Sequence, residues 1–334
     1  MNLIKKFNLL MSIKRHFVIS YFAIIGYYFQ NKNKYLNVTE KNSMISFSLT
    51  LGKLAQISQL LDNNWKMLDI NDAYIKVSGS EENILYLPLN KLAQINQLLN
   101  SNWKILDSND TYIIVKGPEG EILSCRAKIG FDLGHIIEIY LEKIYGDNFE
   151  GKNIIDIGMS NGDSSIYFAK KGAKRVIGLE PDKRSFNLAL NNIKESQVDS
   201  IVLPLNKALS DQAGIFELLI YDSNPNANSI DEINMVKLKD SKFKERIEAI
   251  TLKEIIDMFN GENIDLLKMD CEGCEYKVLR NLPQEYFSKI LNIILEYHNG
   301  LQDIPEILKK QRFNIKILGD KNLMGIITAI RTIH

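Results

Sequence analysis

Cysteine is scarce in this chain, three in 334 residues, and tryptophan scarcer still at two. Three cysteines cannot frame a disulfide-stapled secreted module. Net charge is absent as well, because 41 Lys and Arg balance 41 Asp and Glu. That removes a globally basic nucleic-acid binder, whose affinity would rest on neutralising phosphates. Charged residues make up only 25% beside 45% hydrophobic ones, which removes wholesale disorder. No secretory cleavage site is found, so a globular, cytoplasmic protein is expected, long enough for a large domain and a smaller one.

The charge balance conceals an asymmetry. Residues 1–39 hold Lys5, Lys6, Lys14, Arg15, Lys32 and Lys34 and no acid. Among them lies the apolar run Phe17–Phe29, 13 residues long, where a membrane-spanning helix needs about 20. Two readings fit: a helix packed on the body, or an interfacial anchor giving peripheral membrane association with the cations snorkelling around it. Residues 1–45 are set apart on this ground.

An internal repeat follows. Lys53–Val77 and Lys91–Val115 are identical at 18 of 25 positions, at an offset of 38 residues. The match continues thinly outward, pairing Leu49 with Leu87 and Ile84 with Ile122. In each copy Leu54, Ile57, Leu60 and Leu61, or their equivalents, keep helical spacing. Trp65–Leu68 then reads as a strand, Asn71-Asp72 as a turn and Tyr74–Val77 as a returning strand. One helix–hairpin is too small to bury its apolar face, so residues 46–124 are expected to form a duplicated module. It carries no titratable cluster; a structural or homo-oligomerising role and glycan or partner binding both remain open.

Residues 125–334 alternate strand and helix patterns, as in a parallel sheet covered on both faces. Asn153–Ile157 is a short buried strand that runs into Gly158-Met159-Ser160-Asn161-Gly162 and a helix from about Asp163. A second strand, Val176–Leu179, ends in Glu180, 24 residues after Asp156. This places a ligand over the carboxyl ends of the strands. The glycines are spaced G-x-x-x-G, without the close-approach glycine of a dinucleotide fold, and no P-loop is present. S-adenosylmethionine fits better. Its ammonium suits the Asp156 region, its carboxylate the amides of Gly158, Ser160 and Gly162, and its ribose hydroxyls the two oxygens of Glu180. Asn206, after the third strand, falls where adenine would be contacted.

Further strands are read at Gly214–Tyr221, Ile264–Met269, Ile290–Leu295, Phe313–Leu318 and Leu323–Ile330, with a polar loop at Asp222–Ser229. The fourth sheet strand ends in Asp270-Cys271-Glu272-Gly273 and the fifth in Glu296-Tyr297-His298. Cys271 and Cys274 supply two ligands where structural zinc takes four, so no metal site is read there and both are expected to pack as free thiols.

The blocks IIDIGMSNGDSS, VIGLEPD, NKAL, TLKEII, IDLLKMDCEGCEYKVL and ILEYH resemble, in order and spacing, those of FkbM-family methyltransferases over roughly residues 125–331. The resemblance implies a Rossmann-like class I methyltransferase fold, a seven-stranded mostly parallel sheet with a terminal antiparallel hairpin, S-adenosylmethionine as cofactor, and O-methylation of a sugar or glycoconjugate. The family's D-x-G-A-N-x-G block departs here at Met159-Ser160-Asn161 but keeps Asp156, Gly158 and Gly162. Its D-x-E-G-x-E block is matched by Asp270, Glu272, Gly273 and Glu275, and its E-x-H by Glu296 and His298. A sugar hydroxyl is a weak nucleophile and gains from a positioned base. His298 is the expected base; Asp270 or Glu272 would orient it, bind the acceptor or hold a cation, and Asp270 also borders the cofactor. A nucleotide-binding oxidoreductase and a non-catalytic binding scaffold are the competing functions. S-adenosylmethionine against NAD in a calorimeter separates the first; turnover on sugar acceptors separates the second.

Overall fold

A computed structural model of the chain describes residues 11, 13–18, 35–79, 83–221, 228 and 242–332. The expectation for the apolar run therefore lies outside the described residues except at Phe17–Val18, and the polar loop lies outside them except at Asn228. The chain forms two compact units, residues 1–118 with 125–128, and residues 119–124 with 129–334. Among the described residues no helix is long and apolar enough to cross a membrane.

The first unit runs β1 (Phe17–Val18), β2 (Tyr35–Glu40), β3 (Ser46–Thr50), α1 (Leu51–Asp62), β4 (Lys66–Ile70), β5 (Tyr74–Ser78), β6 (Ile84–Pro88), α2 (Leu92–Leu99), β7 (Lys104–Ser108) and β8 (Tyr112–Lys116). The strand β9 (Ile122–Arg126) spans the boundary between the units. Helical spacing on α1 buries Leu54, Ile57 and Leu60 completely, each side chain stabilising the fold by about 1.5–3 kcal/mol. The period-2 pattern of the hairpins buries Ile75 and Val77 in one copy and Ile113 and Val115 in the other. Both hairpins close on an asparagine: Asn71 Oδ1 accepts from the amides of Ala73 and Tyr74, and Asn109 Oδ1 from those of Thr111 and Tyr112. Such Asx turns satisfy the backbone locally.

Each sheet holds a third strand beyond the helix–hairpin. β6 pairs antiparallel with β5 to give the order β4-β5-β6. The same order recurs in β1-β2-β3, where Tyr35–Thr39 pair with Thr50–Ser46. Residues 13–16 are helical ahead of β1, so helix, hairpin and third strand occur here once more, in a stretch whose sequence shows no copy. β2 thus pairs with β1 on one side and with β3 on the other.

The second unit begins with α3 (Asp132–Ile136), which continues as one π-helical turn, Ile137–Leu141. There follow β10 (Asn153–Ile157), α4 (Asp163–Lys170), β11 (Arg175–Leu179), α5 (Lys183–Glu195), β12 (Val202–Leu205), β13 (Ala208–Ser210), β14 (Gly214–Tyr221), β15 (Lys242–Thr251), α6 (Leu252–Asp257), β16 (Leu266–Met269), α7 (Glu275–Asn281), α8 (Gln284–Phe287), β17 (Asn292–Tyr297), α9 (Ile304–Lys310), β18 (Phe313–Gly319) and β19 (Gly325–Arg331). The main sheet has seven strands in the order β12-β11-β10-β16-β17-β19-β18. The first five are parallel; β19 and β18 close it as an antiparallel hairpin, the Rossmann-like class I arrangement. All five residues of β10 and all four of β16 are buried, as strands covered on both faces must be. The chain leaves β10 outward to β11 and β12 and returns on the other side at β16, so the crevice opens above the carboxyl ends of β10 and β16. β13, β15 and β14 make a small separate sheet.

Candidate active site

Every functional side chain here is placed by a strand end. After β10 the chain turns on Gly158, at φ +74°, where a Cβ would collide with the carbonyl oxygen of Asp270. Only glycine allows the two strand ends to approach so closely. The amides of Gly158 and Met159 both donate to Leu179 O at 3.0 Å, tying the turn to the end of β11. Ser160, at φ +47°, donates its amide to Glu180 Oε2 at 3.0 Å. Glu180 Oε1 accepts from the Asp182 amide at 2.8 Å.

These groups line one cavity of about 400 Å³, together with Asp270, Glu272, Glu296 and His298. Gly158, Ser160, Glu180, Asp270, Glu272 and His298 are thus brought together, as the strand-end reasoning expects. Asp156, Gly162 and Asn206 are not among its lining residues. Asp156 is fully buried and faces backward: Ser164 Oγ and Ser165 Oγ both donate to its Oδ2 at 2.6 Å, and Lys268 Nζ lies 3.1 Å from its Oδ1. Its oxygens are engaged by these three side chains inside the protein. Gly162, at φ +85°, turns the chain into α4, where a Cβ would press on Ala189. Asn206 donates from Nδ2 to the carbonyls of Glu180 and Pro181 at 2.9 and 3.0 Å, bracing the end of β11.

Lys268 is the residue the sequence reading passed over. Its side chain is 4% exposed, and besides Asp156 it meets the carbonyls of Ile157 and Gly158, donating at 3.0 and 2.6 Å. Burial lowers its proton affinity, but Asp156 outweighs this and holds it charged. The one charge in the apolar run Leu266–Met269 was the available signal, since a lysine in a two-sided strand requires a partner.

At the other end of the cavity His298, 6% exposed at its side chain, stands among carboxylates. Nδ1 lies 3.5 Å from Glu275 Oε1. Nε2 lies 3.4 Å from Glu272, 3.6 Å from Asp270 and 3.9 Å from Glu296. Burial pushes Glu272 up to about 8 and Glu296 up to about 7. Burial works against a charge on His298, yet the Glu275 hydrogen bond, with Glu272 and Asp270, raises it to about 10. The far wall comes from His135 on α3, Glu138 on its π turn and Tyr145 beyond them. Beside them Asp163, 3% exposed, is raised to about 6 by burial.

Cys271 and Cys274 form a disulfide, contrary to the free thiols expected. The positive φ of Glu272 and Gly273 folds the loop back until the two Cα atoms are 5.5 Å apart. Cys125 is free and buried.

Residues 156–315 match the family described as the methyltransferase FkbM domain. Methyltransferase sdnD of Sordaria araneosa is 24% identical over 190 residues, covering 48% of this chain and 73% of that protein. Ribosomal protein L11 methyltransferase of Thermotoga maritima is 27% identical over 109 residues, 32% of this chain and 39% of the relative. Among solved structures, methyltransferase FkbM from Methylobacillus flagellatus aligns at 16% identity and a TM-score of 0.37, covering 53% of this chain and 43% of that one. The chain spans less than half the length of these last two.

Proposed function

We infer that this methyltransferase FkbM domain, residues 156–315 of the chain, transfers the methyl group of S-adenosylmethionine to a hydroxyl of a sugar or glycoconjugate. One observation carries the reading: a glycine turn braced on an acid-terminated strand and a cluster of imidazole and carboxylates line the same cavity. Glu180 is suited to the ribose hydroxyls, and the amides around Gly158 and Ser160 to the amino-acid end. When bound, S-adenosylmethionine supplies a methyl group made electrophilic by its sulfonium.

The chain's own work is orientation. Methyl transfer is an in-line displacement, so holding the acceptor oxygen behind the methyl carbon supplies much of the rate. Asp270, Glu272 and His298 stand where β16 and β17 end, grouped within 3.6 Å of Nε2. They bind the acceptor hydroxyl, and the carboxylates beside the charged imidazole take its proton as the oxygen–carbon bond forms. The carboxylate wall also favours the cationic cofactor over an anionic competitor. Calorimetry with S-adenosylmethionine, followed by transfer of a labelled methyl to a panel of sugars, tests the reading. Saturable binding and labelled sugar are expected; NAD bound in preference would refute it.

A further inference from the structure

We propose that Asp270, Glu296 and His298 form a binding site for one divalent cation at the acceptor end of the cavity. One nitrogen and two carboxylate oxygens from these residues lie within 4.8 Å of one another. His298 Nε2 stands 3.6 Å from Asp270 Oδ1 and 3.9 Å from Glu296 Oε1, beyond the roughly 2.7–3.2 Å of a hydrogen bond. Around an ion with metal–ligand bonds of about 2.1 Å, adjacent ligands sit about 3.0–3.5 Å apart and opposite ones about 4.2 Å. Both separations from Nε2 fall within that span.

A second observation points to a ligand independently. The His298 side chain is 6% exposed, yet among the described residues its Nε2 makes no hydrogen bond while aimed into the cluster. Nδ1 is turned to Glu275, a carboxylate with no exposed surface. A carboxylate behind the imidazole orients the ring, and a dication bound among the carboxylates takes the place of the proton they otherwise hold on Nε2. Asp270 and Glu296 are each about one-third exposed, at 32% and 34%, which leaves coordination positions open to water and acceptor. Two carboxylates and an imidazole balance a dication and suit Mn²⁺ or a similar ion. The two nearby sulfurs are joined to each other and offer no thiolate.

The site stands apart from the methyl-transfer reading, but the ion's use rests on it. A hydroxyl bound to the cation loses its proton more readily. That proton leaves to water at the open coordination positions as the oxygen–methyl bond forms and the sulfur–methyl bond breaks, the sulfur leaving as a neutral thioether.

The test titrates Mn²⁺ into the chelator-stripped full chain, followed by calorimetry and pulsed electron paramagnetic resonance. One ion per chain is expected, with ¹⁴N modulation from a directly bound imidazole. Glu296→Gln and His298→Gln should each weaken binding at least tenfold, and His298→Gln should abolish the modulation. The unsubstituted chain alone decides the matter should a variant fail to fold: no stoichiometric ion, or an ion without ¹⁴N modulation, overturns the proposal. Affinity that survives both substitutions overturns it too. S-adenosylmethionine binding without a Mn²⁺ site sinks the cation and spares methyl transfer; a Mn²⁺ site without S-adenosylmethionine binding does the reverse.

Discussion

Replacing Lys268 with methionine keeps the bulk of the side chain in β16 and deletes its charge. Asp156, with no exposed surface, then loses the ammonium 3.1 Å away, and the carbonyls of Ile157 and Gly158 lose a donor. Breaking a buried pair from one side costs about 3–5 kcal/mol, because the surviving charge is left uncompensated. A unit of this size shifts its melting temperature by about 2–4 °C per kcal/mol, so a drop of about 6–20 °C is expected. Adding Asp156→Asn removes the orphaned charge while keeping acceptors for Ser164 and Ser165, and should recover about half of the loss. Calorimetry or far-ultraviolet circular dichroism reads the second unit. Tryptophan fluorescence serves as an internal control, since Trp65 and Trp103 both lie in the first unit and should report an unchanged transition. Lys268→Met melting within 2 °C of the parent, or a double variant no more stable than the single, would refute the reasoning.

Asp163→Asn tests the burial of that carboxyl. An acid raised from 3.8 to about 6 in the fold costs the folded state stability as pH climbs through that interval. The asparagine variant should therefore be about 3 kcal/mol more stable above pH 6 in urea unfolding, with the gain vanishing near pH 4; a difference constant with pH would count against it. Gly158→Ala forces a side chain onto the Asp270 carbonyl at positive φ. It should destabilise the second unit by at least about 2 kcal/mol and weaken S-adenosylmethionine binding more than tenfold in calorimetry. Glu180→Gln keeps one acceptor oxygen and loses the paired charge. Affinity for S-adenosylmethionine should fall about tenfold, roughly 1.4 kcal/mol, and unchanged affinity would remove Glu180 from the ribose site.

Strand ends are legible in a sequence because an apolar run that stops at a glycine or an acid marks both the element and its exit. Gly158, Glu180, Asp270 and His298 were readable in this way, and all four line the cavity. Direction was not readable. Asp156 and Glu180 terminate neighbouring strands in similar patterns, yet one points into the protein against Lys268 and the other toward the cavity. Side-chain orientation depends on what packs behind the strand, which spacing does not encode. β15 escaped notice because its alternation of charged and apolar residues, Lys242–Thr251, reads as solvent-exposed until β13 and β14 are placed beside it. The α3 wall escaped because it precedes the first sheet strand and carries none of the family's blocks. The copy formed by β1, β2 and β3 has kept the ladder but not the letters.

The third strand of each small sheet sits one period downstream of the hairpin it completes. β3, β6 and β9 each start 38 residues after the one before, at Ser46, Ile84 and Ile122. An excision or duplication of that many residues that starts between Ser46 and Ile84 rejoins like to like and leaves each hairpin its third strand. The first unit can thus lengthen or shorten by a whole period while each hairpin keeps its third strand, whereas a cut made at the visible ends of the repeated text would strand a hairpin without its neighbour.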